Sequence, residues 1–132
     1  MRGFGETYKS KNRSNKDNKP SNGQIFNQAL NFHAQGKISK AAKYYQNLIN
    51  RGVKDHKIFS NYGIILKGLG KLDEAEAYHR KAIEVKPDFA EAYCNLGNIL
   101  KDLGKLQEAE IYQRKAIELK PDFATAHCNL GA

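Results

Sequence analysis

The sequence lacks several features that define common classes of protein. It has no run of about 18 apolar residues, so we expect no membrane-spanning helix. No apolar segment follows the basic N-terminus, which therefore does not resemble a secretory signal. There are only two cysteines in 132 residues, and with no secretion signal they indicate free thiols in a reducing compartment. We therefore expect a cytoplasmic protein that does not insert into membranes.

Patterns for catalysis and metal binding are missing as well. The sequence contains no nucleophile–base pair, no carboxylate dyad and no cofactor fingerprint. Gly70-Lys71 is followed by Leu72 between two predicted helices, whereas a phosphate loop needs Ser or Thr there, between a strand and a helix. The four histidines show no metal-ligand spacing. We expect no enzymatic activity, no cofactor and no metal.

The excess of positive charge is concentrated at the N-terminus. The first 23 residues hold six basic and two acidic side chains, a net +4 that is half of the total of +8. Residues 1–20 are rich in Lys, Asn, Ser and Gly, so we predict a disordered basic arm there. Such an arm suits either a solvated tail or an electrostatic contact with nucleic acid. Because no aromatic residues are interleaved with the charges, we favour the tail and expect no nucleic-acid partner.

Beyond the arm, the chain repeats itself every 34 residues. Residues 56–89 and 90–123 are identical at 22 of 34 aligned positions. Residues 22–55 form a more diverged copy, and residues 124–132 begin a fourth. A fixed period of this length is typical of a helical repeat array, which we assign to residues 21–132.

Each repeat has the pattern of two antiparallel helices. Tyr93, Leu96 and Leu100 recur at helical spacing and give the first helix an apolar stripe. Gly104 suits the left-handed backbone that closes a helix, and Pro121 ends the second helix because it lacks an amide proton. A glycine in the first helix and an alanine in the second are expected where the two helices approach closely.

The third copy supplies Tyr93, Leu96, Gly97, Leu100, Ala109, Ala116 and Pro121 at the positions of a known motif. These residues closely resemble the tetratricopeptide repeat, as found in the repeat domain of O-linked N-acetylglucosamine transferases and in bacterial proteins of this family. The resemblance implies an all-α, right-handed superhelical solenoid of antiparallel helix pairs, with about three full repeats plus one extra helix. The chain departs from the family at the second-helix aromatic position, which is His79 and Gln113.

One polar residue recurs at the same place in every copy, as Asn27, Asn61, Asn95 and Asn129. The resemblance places this position on the first helix, facing the concave groove, and implies a clamp on the backbone of a bound peptide. A side-chain amide can both donate to and accept from a peptide group whatever the peptide's sequence. The alternative is a polar residue that was merely copied as the repeat duplicated.

Two lysines also recur on the first helix, Lys67 and Lys101. They give the groove a cationic edge for acidic partners, unless Glu91 and Asp102 neutralise it and leave a solvated face. Some family members bind C-terminal carboxylates through Lys and Arg beside the asparagines. In this chain those neighbours are Phe26, Leu30, Glu91 and Asn98, so we do not expect that specificity.

The two cysteines, Cys94 and Cys128, are repeat equivalents. Packed helices lie on the order of 10 Å apart, whereas a disulfide needs Cα atoms within roughly 7 Å. The sequence therefore predicts no bridge between them.

The main hypothesis is a non-catalytic protein–protein interaction scaffold that binds an extended peptide in the groove. The alternative is an N-terminal docking segment of a larger, truncated or split glycosyl- or sulfo-transferase, by analogy with the family alone. A third hypothesis is association with nucleic acid through residues 1–20. The sequence leaves the partner's identity and the oligomeric state open.

Overall fold

A computed structural model of the chain describes residues 20–122 and Cys128. These residues form six α-helices: α1 (Asn22–Ala34), α2 (Ile38–Asn50), α3 (His56–Gly68), α4 (Leu72–Val85), α5 (Ala90–Asp102) and α6 (Leu106–Leu119). No strand occurs in this part of the chain. The prediction of an all-α array of helix pairs is confirmed. The predicted arm before Pro20 lies outside the described residues, as does the fourth copy apart from Cys128.

Side chains just before two of the first helices cap their N-termini. The amide of Gln24 donates to Ser21 Oγ at 3.1 Å, and the amide of Ser21 donates to Gln24 Oε1 at 2.8 Å. The Asp55 carboxylate accepts from the amide of Lys57 at 2.7 Å. These bonds satisfy amide groups that have no partner within the helix, and so they fix where α1 and α3 begin.

The helices end at glycine or proline. The first helix of each pair is followed by a glycine with φ of 78 to 82°: Gly36, Gly70 and Gly104. Without a Cβ, glycine adopts this left-handed backbone at little cost, which confirms the predicted role of Gly104. α4 and α6 end before Pro87 and Pro121. α2 has no such proline and ends instead at Gly52, whose φ is 87°.

Small residues allow the two helices of a pair to approach closely. A Cβ added to Gly97 would lie 3.2 Å from the carbonyl oxygen of Ala109 and would overlap the Gln113 side chain. The predicted approach of Gly97 and Ala109 is therefore confirmed. In the preceding repeat the corresponding glycine, Gly63, is closest to the ring of His79.

The helices form two layers with the core between them. α2 packs against α3 and α4 against α5, so each repeat is stacked on the one before it. The first helices are also neighbours, because α3 packs against α5, and Ile25 of α1 shares a core cluster with Ile58 and Ile65 of α3. Among the described residues, no helix is both long enough and apolar enough to cross a membrane.

Candidate functional site

The first helices share an exposed face. On α3 it is formed by Lys57, Asn61, Ile64 and Lys67, whose spacing of three and four residues keeps them on one side of the helix. Ile65, on the opposite side, is buried in the core. We call this surface the first-helix face. Its equivalent residues are Gly23, Asn27, Leu30 and His33 on α1, and Glu91, Asn95, Asn98 and Lys101 on α5.

Three of the four repeated asparagines lie on this face. Asn27 is exposed, while Asn61 and Asn95 are half-buried. Among the hydrogen bonds of the described residues, none involves the side chain of Asn27 or Asn95. Both amides are therefore available to donate to and accept from a ligand. Asn129 lies outside the described residues.

Behind the asparagines, three buried side chains occupy one position of the second helices: Tyr45, His79 and Gln113. Gln113 Nε2 donates to Asn98 Oδ1 at 2.9 Å and to the carbonyl oxygen of Cys128 at 3.4 Å. Neither ring nitrogen of His79 has a hydrogen-bond partner, and neither does the Tyr45 hydroxyl. The repeats therefore share a backbone framework but differ in how they satisfy this position.

The two side chains without partners have shifted pKa values. Burial, helped by the positive charge of Lys67, lowers the pKa of His79 to about 4. Burial raises the pKa of Tyr45, with the neighbouring Asn61 side chain acting in the opposite direction. Both groups are therefore neutral at physiological pH, which is the form that a buried position favours.

A row of aliphatic side chains runs beside the asparagines. Leu30 and Ile64 each come three residues after an asparagine, and they are 38% and 40% exposed. In the third repeat the same position is the polar Asn98. The sequence analysis did not identify Ile64 as part of the site. Its signal was an aliphatic residue in a position that the repeat pattern assigns to neither helix interface.

The two recurring lysines differ in their surroundings. Lys67 Nζ lies 3.9 Å from Asp102 Oδ2, a contact between α3 and α5 in which both side chains remain about half exposed. An exposed ion pair of this kind contributes at most about 1 kcal/mol. Within the described residues, Lys101 is exposed and pairs with no carboxylate. Of the two, Lys101 is the better placed to meet a negative charge on a ligand.

The prediction that the cysteines remain unbridged is wrong. Cys94 of α5 and Cys128 form a disulfide, with their Cα atoms 5.1 Å apart. The prediction placed the two residues a full helix diameter from each other, and the chain after Pro121 instead brings Cys128 within bonding reach of α5. Both residues are buried, in a cluster that includes Tyr93 and Ala116. The bridge fixes this segment next to Asn95.

The described residues offer no arrangement for a metal ion. Within residues 20–122 and Cys128, no three His, Cys, Asp or Glu side chains are grouped as metal ligands. The buried His79 is surrounded by helix packing, and Gly63 lies against its ring.

Comparison with known proteins agrees with this architecture. Two family models match the chain, described as "Tetratricopeptide repeat" over residues 90–123 and "TPR repeat" over residues 63–104. No curated protein matches it.

Several solved structures have the same fold. The first TPR of Spaghetti (RPAP3) bound to an HSP90 peptide, SRMEEVD, superposes with a TM-score of 0.72 at 23% identity, over 79% of this chain and 84% of that one. The TPR2B domain of yeast Sti1 in a complex with pHsp70 gives 0.70 at 23% identity, over 76% and 81%. The Sgt2 TPR domain from Aspergillus fumigatus gives 0.70 at 20% identity, over 78% and 68%. Identities this low establish the fold alone.

Proposed function

Because the chain belongs to the tetratricopeptide repeat family, we propose that it is a non-catalytic interaction scaffold that binds an extended peptide along the first-helix face. The observation that carries this proposal is the set of asparagine amides repeated every 34 residues, two of which have no partner in the described chain. Two of the structures with the same fold are described as complexes with a peptide or with pHsp70.

The spacing of the face suits an extended ligand. Packed helices lie about 8 to 10 Å apart, and an extended chain advances about 3.3 Å per residue. Asn27, Asn61 and Asn95 would therefore each meet a peptide group about every third residue. Asn129 would continue this series by the repeat register. Contacts of this kind read the backbone and so give affinity without fixing the peptide's sequence.

Selectivity would come from the residues beside the asparagines. Leu30 and Ile64 offer aliphatic surface to the ligand's side chains, and burial of such groups contributes about 25 cal/mol per Å². At the other end of the face, Lys101, with Lys67 nearby, favours an acidic side chain, whereas Glu91 opposes a terminal carboxylate. We infer an internal segment that is aliphatic at one end and polar or acidic at the other.

The decisive experiment replaces the amides. Peptides of 12 residues would be selected from a random displayed library on the full chain, and the best binder measured by fluorescence polarisation. Asn61→Ala with Asn95→Ala should weaken binding at least tenfold, since each lost hydrogen bond contributes about 1 kcal/mol. Asn47→Ala, an exposed asparagine on α2, is the matched control and should bind like the wild type.

A second pair of variants tests the aliphatic row. Ile64→Asn should weaken the same peptide several-fold, while Leu106→Asn, at an exposed leucine on α6, should not. The proposal fails if the double asparagine variant binds as tightly as the wild type, or if no peptide is selected. A cytoplasmic location remains our prediction from the sequence. The disulfide removes free thiols from the argument for it.

A further inference from the structure

A charged clamp joins the second helices of the second and third repeats. Arg80 on α4 donates through Nη2 to Glu108 Oε2 at 2.9 Å and through Nη1 to the hydroxyl of Tyr112 at 2.8 Å, both on α6. Its Nε donates to Glu76 Oε2, on its own helix, at 2.9 Å. Lys105 Nζ, 3.6 Å from Glu76 Oε1, adds a second contact across the junction. The junction is thus read by one arginine that meets a carboxylate and a tyrosine four residues apart.

The same half-clamp recurs one repeat later. Arg114 and Glu110 are the equivalents of Arg80 and Glu76, and Arg114 Nη2 lies 2.9 Å from Glu110 Oε2. Their side chains are 72% and 61% exposed, against 35% and 15% for Arg80 and Glu76. Within the described residues, Glu110 is the acceptor that holds Arg114. The arginine that grips the next repeat at the preceding junction therefore faces outward here.

The surface around Arg114 is shaped to receive an apolar helix face. A cavity of about 370 Å³ is lined by Tyr93, Ile111, Tyr112, Arg114, Lys115 and Glu118. Ile111 is 65% exposed, the most exposed of the large aliphatic side chains in the described chain. We call this surface the α6 end face.

We propose that the α6 end face docks a further α-helix that carries a carboxylate and, four residues later, a tyrosine. The docked helix would lie on α6 as α6 lies on α4, with its carboxylate and phenol on Arg114 and its apolar side chains over Ile111. The inference is independent of the first-helix face, because these residues lie on the second-helix layer.

A second copy of this chain does not fit that description. Its own Glu108 and Tyr112 are already held by Arg80. The equivalent residues of its first repeat are Lys40 and Tyr44, which would place a positive charge against Arg114. Like charges at a junction are destabilising, so the occupant is a helix of the Glu-x-x-x-Tyr type from another segment or protein.

The test supplies such a helix in a defined register. Ala132 corresponds to Asn98, so extending the full chain at Ala132 with a copy of residues 99–123 continues the period and adds one α6-like helix. Unfolding in urea, followed by circular dichroism, would be compared for the original and the extended chains, each with and without Arg114→Ala. We expect Arg114→Ala to raise the unfolding equilibrium constant of the extended chain about fivefold more than that of the original chain.

A second extended chain, with lysine in place of the appended copy of Glu108, reproduces the Lys-x-x-x-Tyr pattern of the first repeat. In that chain the extra effect of Arg114→Ala should vanish. The proposal is overturned if Arg114→Ala has the same effect in the original and both extended chains. It is also overturned if the original chain forms a dimer, seen by sedimentation, that Arg114→Ala dissociates, because the occupant would then be a second copy. Peptide binding on the first-helix face should be unchanged by Arg114→Ala in every case.

Discussion

The ring of His79 lies directly against Gly63, so that a Cβ on Gly63 would stand 2.7 Å from His79 Nε2. The ring is fully buried and neither nitrogen has a hydrogen-bond partner, so its position is set by packing alone. Packing of this kind tolerates neither added volume nor added charge. Three of the predictions below follow from this contact or from its equivalents in the other repeats.

Gly63→Ala should destabilise the array. The added methyl group meets the side of a ring that has no room to move, and overpacking of this kind costs about 1 to 3 kcal/mol. Gly68→Ala is the control, because no atom lies within 4 Å of its Cβ position and its φ is not positive. That change should be neutral or slightly stabilising, since alanine favours helix. Urea denaturation measures both, and equal effects would contradict the assigned contact.

Stability should fall in acid because of His79. Its pKa is about 4 in the folded chain against the ordinary 6.5, so the unfolded chain binds the proton more tightly. The full stabilisation is present above pH 6.5 and is lost as the pH falls towards 4. At roughly 1.4 kcal/mol per pKa unit, the loss reaches about 2.5 kcal/mol by pH 4.5.

The measurement is the free energy of unfolding at pH 7.5 and pH 4.5, for the wild type and for His79→Gln. Glutamine is the natural control because Gln113 fills the equivalent site over Gly97. It does not titrate, so the variant should lose less stability by about the stated amount. Carboxylates contribute equally to both proteins and cancel. The same pH dependence in both would show that His79 is not the titrating group.

The hydrogen bond between Gln113 and Asn98 should be transferable to the preceding repeat. The equivalent residues there are His79 and Ile64, so His79→Gln with Ile64→Asn rebuilds the pair. We expect the double variant to be more stable than the two single effects predict, by about 1 kcal/mol, the net contribution of one hydrogen bond. A double-mutant cycle in urea measures this coupling, and a value of zero would mean that the local frameworks differ.

The disulfide predicts how the cysteines react. Without reductant, neither Cys94 nor Cys128 should take up an alkylating agent, even in denaturant, and both should react after reduction. In the chain-entropy model, closing a 34-residue loop contributes roughly 4 kcal/mol, so reduction should lower the unfolding midpoint. Mass spectrometry counts the modified thiols, and a Cys94→Ser chain, whose midpoint should not respond to reductant, is the control. Two reactive thiols in the unreduced chain would rule out the bridge.

Much of the fold follows from the sequence because the signals are local and repeated. Gly104 and Pro121 mark helix ends through their own backbone chemistry, and the structure confirms both. The 34-residue register places every helix once one repeat is assigned. The first repeat has no proline near Val53, and Gly52 performs the equivalent stop through its positive φ.

The candidate site was less predictable. Repeat equivalence located Asn61 and Asn95, but exposure decides which neighbours join them, and exposure depends on packing between repeats. Ile64 was missed for that reason. The disulfide was missed because the path of the chain after Pro121 is not fixed by the repeat pattern alone. Peptide binding itself, and the alternative of a docking segment for a transferase, remain predictions.

The clamp at Arg80 also sets where the array is weakest. The first junction has Gln46 in place of that arginine, and Gln46 accepts only from the hydroxyl of Tyr62, at 2.6 Å. In a linear array, each unit is held chiefly by its neighbours, so the unit behind the least charged junction opens first. The pair α1 and α2 is therefore a hinged terminus that can leave while the rest stays folded. Its departure would remove Asn27 and Leu30 from the first-helix face, so the length of segment that the protein can hold is itself an equilibrium.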